Sequence, residues 1–298
     1  MNYRVTHTTC YTGDEPISVG HNEAWLKPRS GPRQQTHKFH LHVDPVPAVT
    51  SLRTDSFGND VHVFSFNEGY RQLKVTAVSE IGVQPPPVPS AMKSPPWEAI
   101  REQLRSTGGA ALPAAEQPSF FAYEFAFPSP RIFWDDSVVG FAEVSFVPGR
   151  PIVDAVQDLT SRMHAEFKYD GTATTVSTPV KDVFQLRRGV CQDFAHLQIA
   201  AIRSVGLAAR YVSGYLRTFP PPGKPRLVGA DASHAWLSVF CGELGWLDVD
   251  PTNNMLVRDE HITLAWGRDY GDVPPLTGVF IGGGQHRMSV SVDVLPLE

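Results

Sequence analysis

A cysteine that opens a predicted helix is the first residue able to do covalent chemistry. Cys191 follows Gly189 and begins the most strongly apolar helical pattern in the chain. A catalytic thiol must be a thiolate near neutral pH, although a free cysteine has a pKa of about 8.5. A helix N-terminus and a neighbouring imidazolium both favour the thiolate. The position of Cys191 in the first helical turn therefore indicates a nucleophile.

A histidine and an aspartate on two consecutive predicted strands could serve this thiol. His234 lies before a Gly-containing turn, and Trp246–Asp250 returns from it. If the two strands form a hairpin, Asp250 falls opposite Trp236, or opposite His234 after a two-residue shift. Asp248 shares the face of Asp250 but is one pair further from His234 in either register. We therefore predict that Asp250 accepts a hydrogen bond from His234 and fixes its tautomer, which gives a Cys-His-Asp arrangement suited to acyl transfer.

Each of these residues also has a structural interpretation. An isolated cysteine is most often a small buried side chain, which is how we interpret Cys10 and Cys241. His234 alone would suit a hydrogen-bonded core position, and Asp250 before a proline could cap a turn. The ordered combination of the three residues favours the catalytic hypothesis.

The first part of the chain predicts a small β-rich domain, residues 1–84. Short segments with period-two alternation are separated by Gly, Asn and Asp turns. These predicted strands are Tyr3–Tyr11, His37–Val43, Val61–Phe66 and Leu73–Val78.

A proline-rich strip, Gln84–Pro89, then interrupts the strand pattern. Three consecutive prolines cannot donate ladder hydrogen bonds and favour an extended conformation. Residues 85–150 are therefore interpreted as a connecting region, with a helix near Trp97–Arg105.

From residue 151 to 298 the patterns predict an α+β domain. Ile152, Val156, Leu159, Met163 and Phe167 mark one face of an amphipathic helix. A short helix is predicted after Pro179, followed by the Cys191 helix, which Gly206 ends. Four strands are predicted afterwards: 207–216, 232–240, 246–250 and 288–294.

Three sequence blocks resemble the bacterial transglutaminase-like family, whose members are often assigned as cysteine proteases. The blocks are Gly189–His196 with the following Val212–Tyr215, then Ser233–Trp236, then Asp248–Asn253. They occur in the family's order over residues 150–255, and residues 1–85 resemble the β-rich domain that precedes the core in this family. The resemblance implies an α+β fold with a papain-like core, in which a nucleophile helix packs on an antiparallel sheet.

The resemblance also implies a mechanism and site roles. Cys191 takes the position of the nucleophile, His234 that of the base and Asp250 that of the third member, with a thioester intermediate resolved by water or by an amine. The Cys191 backbone N–H is an expected oxyanion donor, and papain-like enzymes place a glutamine at the offset of Gln185.

Four further residues are weighed for the site. Gln185 is a possible oxyanion donor, and Asp193 near the nucleophile is a pocket or structural residue. Tyr215 and Trp236 could line the cleft, but core packing explains them equally well.

Composition excludes several other classes. Lys and Arg number 26 against 31 Asp and Glu in 298 residues, so no electrostatic footprint for nucleic acid or an anionic membrane is present. Three cysteines without framework spacing favour a reducing cytoplasm. His40, His42 and His62 lack convincing further metal ligands. We expect no cofactor and no metal, a peptide or protein substrate, and an oligomeric state that the sequence does not reveal.

Four functions remain open from the sequence. The first is a thiol hydrolase or amidase acting on peptide-type amides, and the second is a protein cross-linking transglutaminase. The third is a binding or scaffold protein that keeps the fold while catalysis is vestigial. The fourth is a zinc site made of Cys191, His234 and Cys241, which lacks short ligand pairs.

Overall fold

The computed structural model describes residues 1–85, 94–109, 118–219 and 232–297. Two antiparallel sheets, one of seven strands and one of five, are joined by a layer of helices. The α+β fold predicted from the sequence is thereby confirmed.

The N-terminal part forms the seven-stranded sheet around one very long strand. Five of its strands are β1 (Asn2–Ala24), β2 (Gln34–Asp44), β3 (Val49–Thr54), β4 (Asp60–Phe66) and β5 (Tyr70–Val83). They are ordered β2-β5-β1-β4-β3. The first half of β1 pairs with β5, and its last residues pair with β4.

The end of the chain returns to this same sheet. Strands β13 (Leu276–Gly282) and β14 (His286–Leu297) both pair antiparallel with β1. The sequence-based division placed residues 276–298 with the catalytic core, whereas the strand pairing places these two strands in the N-terminal sheet. The chain therefore leaves the N-terminal sheet once and comes back to complete it.

The residues that connect the two sheets along the chain are mostly helical. The helices are α1 (Trp97–Gly109), α2 (Pro118–Tyr123), α3 (Asp136–Glu143), α4 (Ile152–Glu166), α5 (Val180–Leu186) and α6 (Cys191–Ser204). Trp97, Ile100 and Leu104 of α1 lie in the same hydrophobic core as α4 and α6. The region interpreted as a connection therefore contributes to the core, while residues 86–89 of the proline-rich strip lie outside the described residues.

The five-stranded sheet carries the second half of the core. Its strands are β8 (Ala209–Leu216), β9 (Ala232–Phe240), β10 (Trp246–Asp250), β11 (Met255–Leu256) and β12 (His261–Gly267), ordered β11-β10-β9-β8-β12. Two short strands, β6 (Lys168–Tyr169) and β7 (Arg188–Gly189), pair in parallel on either side of α5, and β7 lies directly before α6.

Helix α6 packs on one face of this sheet. Its residues from Asp193 to Arg203 are all buried. The helix ends before Gly206, which has the positive φ of 82° that a residue without Cβ adopts readily. An apolar helix fixed between a sheet and neighbouring helices is a rigid support for a side chain at its N-terminus.

Among the described helices, none combines the length and the apolar character needed to cross a bilayer.

Candidate active site

The N-terminus of α6 is held by a buried carboxylate. Asp193 accepts hydrogen bonds from the backbone N–H of Val190 at 2.8 Å and from the Thr174 hydroxyl at 2.6 Å. Gly189 allows this close approach, because a Cβ at that position would lie 2.6 Å from the Asp193 carboxylate. Cys191 is the first residue of the helix, so its backbone N–H has no partner inside the helix.

The hairpin of β9 and β10 brings His234 and Asp250 together. Trp246 pairs with Phe240 and Val249 pairs with Leu237, so the next pair places Asp250 opposite Trp236. This confirms the first of the two registers considered from the sequence. His234 Nε2 donates to Asp250 Oδ2 at 2.7 Å, and Asp250 is fully buried.

Asp250 is surrounded by donors on both of its oxygens. Oδ2 also accepts from His261 Nε2 at 3.1 Å and from Asn253 Nδ2 at 2.7 Å. Oδ1 accepts from the backbone N–H groups of Thr252 at 2.9 Å and Asn253 at 3.2 Å. Five donors therefore fix the carboxylate in position and satisfy it without solvent.

These contacts determine the charge state of the pair. Burial raises the pKa of Asp250, but hydrogen bonds from His234, His261 and Asn253 outweigh it and hold that pKa well below its usual value. Burial lowers the pKa of His234, but hydrogen bonds with Asp250 and Cys191 and the charges of both groups raise it to about 10. The arrangement stabilises an imidazolium beside a carboxylate.

His234 stands between the carboxylate and the thiol. With Nε2 bound to Asp250, Nδ1 is the ring nitrogen left to face Cys191, whose negative charge helps to raise the pKa of His234. Cys191 is half-buried and lines the same cleft as His234. The geometry has the three parts that a nucleophile, a base and an orienting carboxylate require.

The cluster around Asp250 also contains residue types that bind metals. His234, Asp250 and His261 offer ligand atoms within 4.8 Å of one another. However, the Arg258 N–H donates to His261 Nδ1 at 3.4 Å, which places the His261 proton on Nε2, facing Asp250. A protonated ring nitrogen is a donor and has no lone pair for a metal, so the residues fit a hydrogen-bonded cluster better than a metal site.

The zinc arrangement considered from the sequence does not come together. Cys241 lies beyond the far end of β9, seven residues from His234, or about 23 Å at the usual rise of a strand. Its buried thiol donates to the Val239 carbonyl at 3.6 Å, and burial raises its pKa to about 12.

The cleft at Cys191 has a volume of about 260 Å³ and is shared by both sheets. Helix α6 and the five-stranded sheet contribute Cys191, His234 and Tyr211. The N-terminal sheet contributes the opposite wall, with His7, Thr9 and Tyr11 from β1 and Met288 and Val290 from β14. The N-terminal sheet therefore forms one wall of this cleft.

The remaining residues considered from the sequence lie in different places. Asp193 caps α6. Tyr215 is buried, and its hydroxyl shares a hydrogen bond of 2.9 Å with His7 Nδ1. Trp236 is fully buried beneath the cluster, with its ring 5.3 Å from that of His261. Gln185 is exposed on α5 and does not line the cleft.

Two residues near the site, His261 and Tyr211, are not among those predicted from the sequence. His261 comes from β12, at the opposite edge of the sheet from β10, and no short-range pattern indicates its contact with Asp250. Tyr211 and Tyr215 share a strand face by parity, so the sequence indicates that either could lie near Cys191. Which of the two does so depends on which end of the strand meets α6, and the sequence alone does not give this.

Comparisons with known proteins agree with this architecture. Residues 3–82 match the model of the bacterial transglutaminase-like N-terminal region, and residues 146–251 match that of the transglutaminase-like superfamily. The uncharacterized protein Rv2569c of Mycobacterium tuberculosis is 42% identical over 99% of this chain and 93% of its own length. A protein-glutamine gamma-glutamyltransferase of Pseudomonas aeruginosa is 32% identical over 123 residues, which are 35% of this chain and 18% of that protein.

A solved structure shows the same fold over the whole chain. "A Putative Cysteine Protease from Cytophaga hutchinsonii" superposes with a TM-score of 0.72, covering 100% of this chain and 92% of the other at 19% sequence identity. At that identity the likeness concerns the fold alone. Together with the matched family models and the 42% identical relative, it shows that this chain belongs to the transglutaminase-like superfamily.

Proposed function

We propose that this chain is a thiol-dependent acyl-transfer enzyme that hydrolyses peptide or glutamine-type amide bonds. Cys191 is the nucleophile, His234 the base and Asp250 the residue that orients His234. The observation that supports this most directly is the position of His234, which bonds Asp250 at 2.7 Å and lines the same cleft as Cys191. A peptide or protein supplies the amide, and no cofactor is required for this chemistry.

The proposed reaction has two halves. The Cys191 thiolate attacks the amide carbonyl carbon and forms a C–S bond, while the carbonyl electrons move to oxygen. The tetrahedral intermediate collapses, the C–N bond breaks, and His234 gives its proton to the leaving amine. In the second half, a water molecule attacks the thioester carbonyl carbon while His234 takes a proton from that water. The C–S bond then breaks and Cys191 leaves as a thiolate with the bond electrons.

Two donors are suited to the oxyanion of the intermediate. The Cys191 N–H at the start of α6 is free of helical partners. Tyr211 is buried and lines the cleft with Cys191. Burial, followed by the charges of Cys191 and its neighbours, holds the pKa of the Tyr211 phenol well above its usual value, so the hydroxyl stays protonated and able to donate.

Transamidation is the second candidate function. Similarity to the protein-glutamine gamma-glutamyltransferase of Pseudomonas aeruginosa, 32% identical over 123 residues, is the observation that favours an amine as the group that attacks the thioester in this chain. The first half of the reaction is the same in both cases. Only the group that attacks the thioester differs.

We place the reaction in the cytoplasm. All three cysteines are free thiols, which fits a reducing compartment. Fractionation of the producing cells, with recovery in the soluble cytoplasmic fraction, is the check. Recovery outside the cytoplasm would contradict this placement.

The test follows ammonia release and peptide cleavage on glutamine-containing peptides and on casein, with and without a primary amine. Cys191→Ala should lower the rate by about 10³-fold or more, because the covalent step is lost. Cys10→Ala is the matched control, since Cys10 lies in the N-terminal sheet and outside the cleft. Unchanged turnover in Cys191→Ala would refute the thiol mechanism, and a product that incorporates the amine would favour transamidation over hydrolysis.

A further inference from the structure

A second cavity, of about 520 Å³, lies on the sheet face opposite α6. Leu237 and Val239 of β9 point into the core with α6, so Ser238 between them faces the other way, into this cavity. The described residues that line the cavity and those that line the Cys191 cleft do not overlap. The cavity is therefore separate from the candidate active site.

Three arginines and two tryptophans dominate the lining of the cavity. Arg210 of β8 lies beside Ser238 of β9, which lies beside Asp248 of β10. The Arg210 guanidinium is 3.7 Å from the centre of the Trp266 ring and 4.1 Å from that of Trp246. The two indoles therefore hold a cation at the floor of the cavity.

The other two arginines come from the segment between β1 and β2. The Arg29 guanidinium lies 3.6 Å from the centre of the Trp266 ring. Arg33 donates through Nη2 to the carbonyl of Arg258 at 2.7 Å. Both arginines are thus fixed beside Arg210 before any ligand arrives, which lowers the entropic cost of binding.

The positive charge of this lining exceeds its negative charge. Asp248 is the carboxylate among the described lining residues, against Arg29, Arg33 and Arg210. Asp248 Oδ1 already accepts from Ser238, and its Oδ2 lies 3.7 Å from Arg33. The Nε groups of all three arginines are buried and have no hydrogen-bond partner among the described residues. The lining thus keeps an excess of two formal positive charges, while Asp55 and Asp60 act on Arg29, and Asp259 acts on Arg33, from outside it.

Burial makes this excess costly. It lowers the pKa of Arg210 to about 9 and that of Arg29 to about 10, even though nearby carboxylates oppose the shift. Desolvated cations are stabilised strongly by a counter-charge. A purely structural stack of arginine and tryptophan would explain the ring contacts, but it would explain neither the open volume nor the charge excess.

We propose that this cavity, which we call the arginine pocket, binds a small molecule that carries a carboxylate or phosphate group. Guanidinium groups bind both oxyanions through paired N–H donors. A volume of about 520 Å³ suits a small organic ligand and exceeds the needs of a single chloride. The proposal does not depend on the catalytic activity of Cys191.

Calorimetric titration of the full chain tests the pocket, with inorganic phosphate and with citrate as probes and sodium chloride at equal ionic strength as the reference. We expect saturable binding of at least one probe and none of chloride. Arg33→Gln should weaken the affinity about tenfold or more, since it removes a charge-assisted contact. Arg53→Gln is the matched control, because Arg53 loses the same charge but pairs with Glu23 on the outer surface of the N-terminal sheet.

Binding of phosphate alone, of citrate alone or of both supports the pocket and identifies the group that it prefers. Heats that match those of chloride in the wild type would overturn the proposal, as would equal affinities in Arg33→Gln and the wild type. Arg210→Met extends the test to the floor of the pocket. If that variant does not fold, Arg33→Gln still decides, because Arg33 lies at the partly exposed margin.

Discussion

Replacing Asp250 by Asn changes the charge beside His234 while keeping the size of the side chain. An amide has one oxygen, whereas donors face both oxygens of Asp250. Either orientation of the new amide points its NH₂ group at N–H donors. At least two charge-assisted hydrogen bonds are lost, at about 1.5–3 kcal/mol each.

The larger effect is on His234. Its pKa of about 10 lies well above the usual 6.5, because the interactions with Asp250 and Cys191 outweigh the effect of burial. Without the carboxylate, burial opposes the charged ring and Cys191 is left as the group that favours it, so the pKa should fall toward the usual 6.5. At pH 7.5 the imidazolium fraction then falls from nearly all to about one tenth or less.

We therefore expect Cys191 in Asp250→Asn to be alkylated by iodoacetamide at least about tenfold more slowly at pH 7.5. Turnover should fall further, because the analogous change in serine proteases costs about 10⁴ in kcat through the wrong histidine tautomer. Peptide-resolved mass spectrometry measures the alkylation rate. Cys241 reports folding in the same sample, since its buried thiol should stay unmodified in folded protein.

Asp248→Asn is the matched control for this prediction. Asp248 lies on the same strand and the same face, two residues away, but its partner is Ser238 and not His234. It should leave Cys191 alkylation unchanged. Wild-type alkylation in Asp250→Asn, or an equal loss in both variants, would refute the reasoning.

Three further predictions concern residues around the site. His261→Phe should lower the melting temperature and reduce kcat about tenfold, because it removes one donor to the buried carboxylate. His261→Gln keeps a donor and should recover most of kcat. Equal effects of the two variants would contradict a positioning role. Tyr211→Phe should lower kcat about 10²-fold while leaving Cys191 alkylation unchanged, and a matching loss in alkylation would argue against an oxyanion role. Burial lowers the pKa of His7 to about 4, so the unfolded chain binds more protons than the folded one below pH 6.5. The free energy of unfolding should therefore fall by about 2 kcal/mol between pH 7.5 and pH 5. Urea titrations should show a weaker pH dependence of that free energy in His7→Gln, and an unchanged dependence would show that His7 is not its cause.

The parts of the site that lie close together in sequence could be predicted. The turn between β9 and β10 is short, so strand parity alone limited the partner of His234 to two registers, and the first of them occurs. The helix that begins at Cys191 could be predicted as well, because its apolar side chains continue to Gly206. Local patterns are informative wherever one turn fixes the geometry.

Long-range pairing could not be predicted in the same way. Strands β13 and β14 join β1 across more than 250 residues, and period-two alternation fits any sheet edge equally well. The contact of His261 with Asp250 depends on the strand order of the whole sheet. The hydrophobic contribution of α1 was likewise hidden, because a proline-rich strip before it suggested a linker.

The pleat of β9 also explains how the base stays in place. His234, Trp236 and Ser238 alternate onto one face, so the fully buried Trp236 separates the base from the arginine pocket. The indole has room there because Gly214 lies on the neighbouring strand, where a Cβ would come within 2.3 Å of its ring. A larger residue at Gly214 would push the indole away, and its neighbours include the rings of His234 and His261. The position of the base therefore depends on a glycine that takes no part in the chemistry.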